Sequence, residues 1–68
     1  MNEFEQFVSA LTDVEVAEMG VRLAGKHGDK PHGKMMVGAL DLGLRGEARK
    51  LLVILLGIEE ELEISRCN

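Results

Sequence analysis

The chain has 68 residues, a formal net charge of −4 and only two aromatic side chains, both phenylalanine. The negative charge opposes general binding to a phosphate backbone, and two phenylalanines provide little platform on which bases could stack. Composition therefore argues against nucleic acid as a partner.

The length also limits how well a single copy can be stabilised. A domain of about 60 residues buries only about 60% of its unfolded surface, and folds of this size usually rely on disulfides, a metal ion or association. Cys67 is the only cysteine, so a disulfide within the chain is excluded, and a zinc signature is absent. The sequence thus predicts one small domain over residues 1–68. Association of several copies is the remaining way to stabilise it.

Neither membrane insertion nor secretion is predicted from the sequence. The longest unbroken apolar run, Leu51 to Leu56, has six residues, whereas a spanning helix needs about 20. The first residues are acidic and lack the apolar segment of a secretory signal. We therefore expect a soluble cytoplasmic protein with no membrane partner.

The first helix is predicted over residues 3–11. Asn2 is a suitable N-cap, and Glu5 follows it at the spacing of a capping box. Apolar residues then recur at helical spacing: Phe4, Phe7, Val8 and Leu11. We expect the two phenylalanines to anchor this helix in the core.

The second helix is predicted over residues 13–25. Thr12 and Glu15 form the clearest capping box in the chain. The apolar residues that follow predict a buried stripe along one side of the helix: Val14, Ala17, Val21 and Ala24, widened by Val16 and Leu23. The small residues of this stripe would let another helix come close.

Residues 25–34 are predicted to form an exposed loop, because they hold three glycines, the only proline, three lysines and both histidines. Backbone amides at glycines can turn toward an anion, and lysines supply the charge. The loop is therefore a candidate site for a small anionic ligand such as a nucleotide. The candidate ligand-binding residues are Lys26, His27, Lys30, His32, Lys34 and Arg45.

Two other interpretations of this loop stay open. Its order of residues is not that of a P-loop, and no strand precedes it, so it can be a plain solvated connection. His27, Asp29 and His32 form at most a weak metal-binding cluster, because they lie on a flexible loop with no thiolate nearby in sequence. We predict no metal ion and no cofactor.

The last half of the chain allows one long helix or two. Three glycines, Gly38, Gly43 and Gly46, weaken a continuous helix. We favour a third helix over residues 34–42, a turn through the last two of these glycines, and a fourth helix over residues 46–65.

The fourth helix dominates the sequence and predicts self-association. Its apolar residues recur at alternating steps of four and three, as in helices that pack on other helices. They form a seam: Leu44, Ala48, Leu51, Leu55, Ile58 and Leu62. With Leu52 beside the seam and further apolar residues behind it, the middle of the helix is apolar all round and must be covered on all sides. One short chain offers too little cover, which predicts a homo-oligomer, with a dimer as the first choice.

Charges along the fourth helix predict how two copies would pair. Basic residues lie near its start and acidic residues near its end. An antiparallel pair sets each basic start beside the other copy's acidic end, whereas a parallel pair stacks like charges. Arg49 and Glu60 are therefore expected to face each other across the interface.

Taken together, these patterns predict an all-α protein: a small bundle of three to four helices with a long, largely buried C-terminal helix, assembled as a homo-oligomer. Neither serine has a base nearby in sequence, and Cys67 is too close to the terminus to hold a reactive geometry. We therefore predict no catalytic residue and no enzyme. The expected function is a small protein-binding module, an adaptor or inhibitor of a partner protein. The alternative is an oligomer that binds a small anionic ligand through the basic loop.

Overall fold

The computed structural model describes residues 2–67, with side chains described for residues 2–65. Four α-helices follow one another, and no strand occurs in the described range. They are α1 (Glu3–Ser9), α2 (Asp13–Lys26), α3 (Pro31–Leu42) and α4 (Arg45–Cys67). The predicted all-α bundle is confirmed, with four helices. The side chain of Cys67 lies outside the described side chains.

The first two helices begin at their predicted caps. The Asn2 side chain accepts a hydrogen bond of 2.8 Å from the Glu5 backbone N–H. At the start of α2, the Thr12 hydroxyl accepts from the Glu15 backbone N–H at 3.2 Å, and the Glu15 carboxylate accepts from the Thr12 backbone N–H at 2.9 Å. That last bond lowers the pKa of Glu15 below its ordinary value. The backbone N–H groups of Thr12 and Glu15 at the start of α2 are thus satisfied by nearby side chains.

The loop between α2 and α3 is much shorter than predicted. α2 continues to Lys26, and α3 begins at Pro31 rather than at residue 34. Proline suits the first position of a helix, because its missing N–H is not needed there and its φ angle is already helical. The prediction of an exposed loop over residues 25–34 is therefore wrong at both ends, and only residues 27–30 connect the helices.

The favoured break between the third and fourth helices is confirmed. Gly43 has a φ of 69°, in the left-handed region that glycine adopts without strain. Its backbone N–H closes α3 on the carbonyl of Leu40, and the N–H of Leu44 bonds to the carbonyl of Ala39. Two such bonds past the helix end are the usual way to satisfy its last carbonyls. α4 then starts at Arg45.

All four helices contribute to one aliphatic core. Met36, Leu52 and Leu55 are fully buried at its centre. The remaining buried apolar residues are Val8, Val16, Leu23, Ala24, Ala39, Ala48 and Leu51. α4 is buried only along one side of its first half, since residues 60–65 are exposed. The expectation of a largely buried C-terminal helix therefore holds for one side of its first half and not for its end.

Two predicted core stripes are wrong in detail. On α2, Val14 and Val21 are 66% and 63% exposed. The predicted stripe residues Val16, Leu23 and Ala24 are buried, together with Gly20. The reason lies at Gly20, where the missing side chain lets Met36 and Leu40 of α3 come close. A close contact between α2 and α3 thus forms at Gly20, and Val14 and Val21 lie beside it on the surface.

α1 also differs from its prediction. Phe7 is 48% exposed, and Val8 is the residue that α1 buries. The Arg49 guanidinium donates to the carbonyl of Val8 at 2.6 Å and to that of Leu11 at 2.9 Å. These bonds fix the end of α1 against α4 and direct Val8, rather than Phe7, to the core.

A glycine pair in α3 tests the close contact between α2 and α3. A methyl group at Gly33 would collide with the backbone carbonyl of His27, whereas the same group at Gly38 would meet open space. Gly33→Ala should lower the free energy of unfolding by about 1–3 kcal/mol because of overpacking. Gly38→Ala should raise it by up to about 1 kcal/mol through helix propensity. Urea unfolding followed by circular dichroism measures both, and equal effects would contradict the packing.

Candidate functional site

Arg45 is not brought together with the other residues predicted to bind an anion. Lys26 lies in the last turn of α2, and Lys30 and Lys34 lie near the start of α3. Arg45 is at the other end of the bundle, where its guanidinium pairs with the Asp13 carboxylate at 3.0 Å. Asp13 opens α2 and Lys26 closes it, so about 20 Å separates the two ends.

His27 is buried rather than presented to solvent. Its side chain is 2% exposed, and its ring Nε2 is 2.6 Å from the Glu59 carboxylate of α4. The other oxygen of that carboxylate pairs with Lys26 Nζ at 3.0 Å. Hydrogen bonds from Lys26 and then from His27 lower the pKa of Glu59 below its ordinary value of 4.5. Glu59 therefore ties the end of α2 to α4, and the view of His27 as a loop surface residue is wrong.

The remaining candidate residues, Lys30, His32 and Lys34, form a weaker ligand site than the sequence predicted. Lys30 Nζ is 3.9 Å from the carboxylate of its neighbour Asp29, His32 is half-buried, and Lys34 is exposed. Among the described side chains, no three histidine, cysteine or acidic groups lie close enough to hold a metal ion. The loop thus acts in the structure as a junction between helices.

The seam predicted on α4 is already covered within one chain. Ala48, Leu51, Leu52 and Leu55 are buried against α1, α2 and α3. Ile58 is half-buried, while Leu44 and Leu62 at the two ends of the seam are more exposed. A second copy that used this seam would have to replace the cover that the chain supplies itself.

The two charged residues predicted at that interface differ in their surroundings. Glu60 is exposed. Arg49 is half-buried and bonds to the end of α1, and it also pairs with the Asp13 carboxylate at 3.1 Å. Pairing of Arg49 with another copy would therefore compete with three contacts inside the chain.

An exposed apolar surface lies along α2 and α3. We call it the α2–α3 face and define it by six side chains: Val14, Ala17, Val21, Val37, Leu40 and Leu44. Leu40 is half-buried and the other five are exposed. Toward one end, the face forms an open groove of about 270 Å³ between the start of α2 and the turn after α3, and Asp13 and Arg45 close it.

The location of this face follows from the helix packing. Gly20 points at α3, so residues on one flank of α2, at the spacing of Val14, Ala17 and Val21, turn to the surface beside that contact. Val37 occupies the matching flank of α3, one turn before Leu40. The sequence revealed the stripe on α2 but not its exposure, because exposure depends on which side of the helix meets α3.

The comparisons with protein-family models, with curated proteins and with solved structures found no match for this chain. No helix in the described part of the chain is both long and apolar enough to cross a membrane. The chain's own residues are therefore the basis for any assignment of function.

The Glu59 junction should make stability depend on pH. A carboxylate whose pKa is lowered by folding contributes stability above its unfolded pKa and loses it as the pH falls through its folded value. Stability should therefore decline below about pH 4.5. Glu59→Gln should lower stability at neutral pH and flatten that decline, while Glu60→Gln, on an exposed neighbour, should change neither. Urea unfolding between neutral and acidic pH measures this. Parallel pH profiles for Glu59→Gln and the parent chain would contradict the junction.

Proposed function

We propose that this chain is a small protein-binding module, and that the α2–α3 face is the surface that holds its partner. The observation that carries the proposal is the face itself: six apolar side chains, contributed by two helices and the turn after them, lie together on the surface. Contiguous exposed apolar patches of this kind are typical of interaction sites.

The shape of the face favours a helix as the bound element. Two neighbouring helices leave a shallow apolar groove, and an amphipathic helix fits such a groove with residues spaced at three and four positions. Small-molecule sites are usually deeper and enclose most of their ligand. The groove here is open and about 270 Å³ in volume, which suits the side chains of a docked helix better than an enclosed metabolite.

We propose an adaptor or inhibitor role, in which the module acts on a partner by occupying a surface through the α2–α3 face. We also propose that it works as a homo-oligomer. The module is proposed to be cytoplasmic, because a single cysteine gives no disulfide within the chain.

The alternative function, capture of a small anion, has weaker support. Lys26 and Arg45 each have an acidic partner within 4 Å, and His27 is buried. An anion would have to displace those acids before it met the charge of Lys26 or Arg45, which leaves Lys34 as the exposed base without an acidic partner within 4 Å among the described residues. We therefore favour protein binding.

Photo-crosslinking at matched positions of α3 tests the proposed surface. Val37 and Met35 are 48% and 55% exposed, and they lie on different sides of the same helix. A photoreactive residue at Val37 should crosslink to a protein, in extracts of the source cells, that the same residue at Met35 does not capture. Val21→Glu in the Val37 variant should abolish the crosslink, since it places a charge in the face. Equal crosslinking from both positions, or none from Val37, would contradict the proposal.

A further inference from the structure

We propose that the occupant of the α2–α3 face is a second copy of this chain, docked about a two-fold axis that crosses both helices at right angles to them. This inference rests on the proposed function, because it names the partner of the same face. The charged residues that border the face carry it.

Apart from Asp13 of α2, which pairs with Arg45, each helix of the face carries one acid and one base on or beside its exposed flank. α2 contributes Glu18 and Arg22, and α3 contributes Asp41 and Lys34, all of them exposed. Within the described part of the chain, none of these four has an oppositely charged group within 4 Å. The border of the face is thus charged and lacks ionic partners in its own subunit.

The fold separates these charges by sign. α2 and α3 run antiparallel, because the short link after Lys26 joins their near ends while Arg45, just after α3, pairs with Asp13 at the start of α2. The acids Glu18 and Asp41 therefore lie toward one end of the face. The bases Arg22 and Lys34 lie toward the other.

Only one two-fold arrangement matches these charges. If the axis crosses the helices, α2 lies antiparallel on the second copy's α2, and α3 lies likewise on the second copy's α3. Glu18 then faces the second copy's Arg22, and Asp41 faces the second copy's Lys34. An axis parallel to the helices would instead set α2 on α3 and bring acid to acid and base to base, which opposes association.

One two-fold axis can relate both helix pairs only if the midpoint of the charge pair on α2 and the midpoint of the charge pair on α3 lie at the same height along the bundle. The two midpoints do lie at the same height. The midpoint between Glu18 and Arg22 is Gly20. The midpoint between Lys34 and Asp41 falls beside Val37, which lies between Met36 and Leu40. A methyl group added at Gly20 would lie 3.2 Å from Met36 Sδ and 3.3 Å from Leu40 Cδ1, so both of those α3 side chains lie beside Gly20. The charge pairs on α2 and on α3 are therefore centred at the same height along the bundle. The folding of a single chain does not require this agreement.

The same register matches large residues with small ones. With the axis at Gly20, Val14 of one copy comes within one residue of the level of Gly25 of the other, and Val21 comes within two residues of the level of Ala17. Gly25 is exposed, and the space where its side chain would lie is empty. Two antiparallel copies of α2 can therefore approach closely and cover each other's valines.

A charge-reversal experiment tests this arrangement by sedimentation equilibrium on the full chain. Glu18→Arg places arginine against arginine at both symmetric positions, and Arg22→Glu places glutamate against glutamate. Each variant alone should dimerise at least about tenfold more weakly than the parent chain. An equal mixture of the two variants should form a heterodimer of near-parental affinity, because the introduced arginine of one copy then faces the introduced glutamate of the other. The unchanged Arg22 and Glu18 of the two copies also face each other.

Two controls establish that the effect belongs to the α2–α3 face. Glu60→Arg reverses an exposed acid on α4 and should leave dimerisation unchanged, and circular dichroism should show every variant folded. The inference is overturned if the parent chain stays monomeric at millimolar concentration, if the mixture does not recover, or if Glu60→Arg is the variant that dissociates the dimer. A monomeric parent whose Val37 still crosslinks to another protein would reject the second copy and leave the proposed function standing.

Discussion

The structure depends on the burial of one side of α4 by the chain's own helices. Leu52 and Leu55 are fully buried together with Met36 of α3. The other helices are held to α4 by polar contacts at their ends: Arg49 fixes the end of α1, and Glu59 fixes the end of α2. Because α4 takes up the core surfaces of all three partners, apolar residues that the core does not use stay exposed, and four of the large ones lie on the α2–α3 face: Val14, Val21, Val37 and Leu44.

The local features of the fold were predictable from sequence. The caps at Asn2 and Thr12 and the turn at Gly43 depend on side-chain and backbone chemistry within a few residues, so sequence pattern is enough to find them. The start of α3 was misplaced because the glycine and lysine content of the segment outweighed Pro31, which opens that helix. A proline is common at the first position of a helix, so Pro31 indicates the start of α3 more reliably than the glycine and lysine content does.

The inward side of each helix was less predictable, and so was the candidate site. α2 has apolar residues on two flanks. Which flank is buried depends on the contact between Gly20 and α3, and that contact is known only when the position of α3 is known. Glu59 resembles its neighbours in an acidic run, and only the fold sets His27 against it. To predict the pattern of charges around the α2–α3 face, one must know the relative position of α2 and α3 along the bundle. The spacing of residues in the sequence does not give that position.

The chain buries Leu52 and Leu55 of its own α4, so that a second copy would have to meet another face. An NMR experiment on an equal mixture of isotope-labelled and unlabelled chains, filtered to show only contacts between chains, tests this most directly. We expect the methyl groups of Leu52 and Leu55 to show contacts only within a chain. Contacts between chains at these two residues would contradict that expectation, because α4 would then be covered by its neighbour.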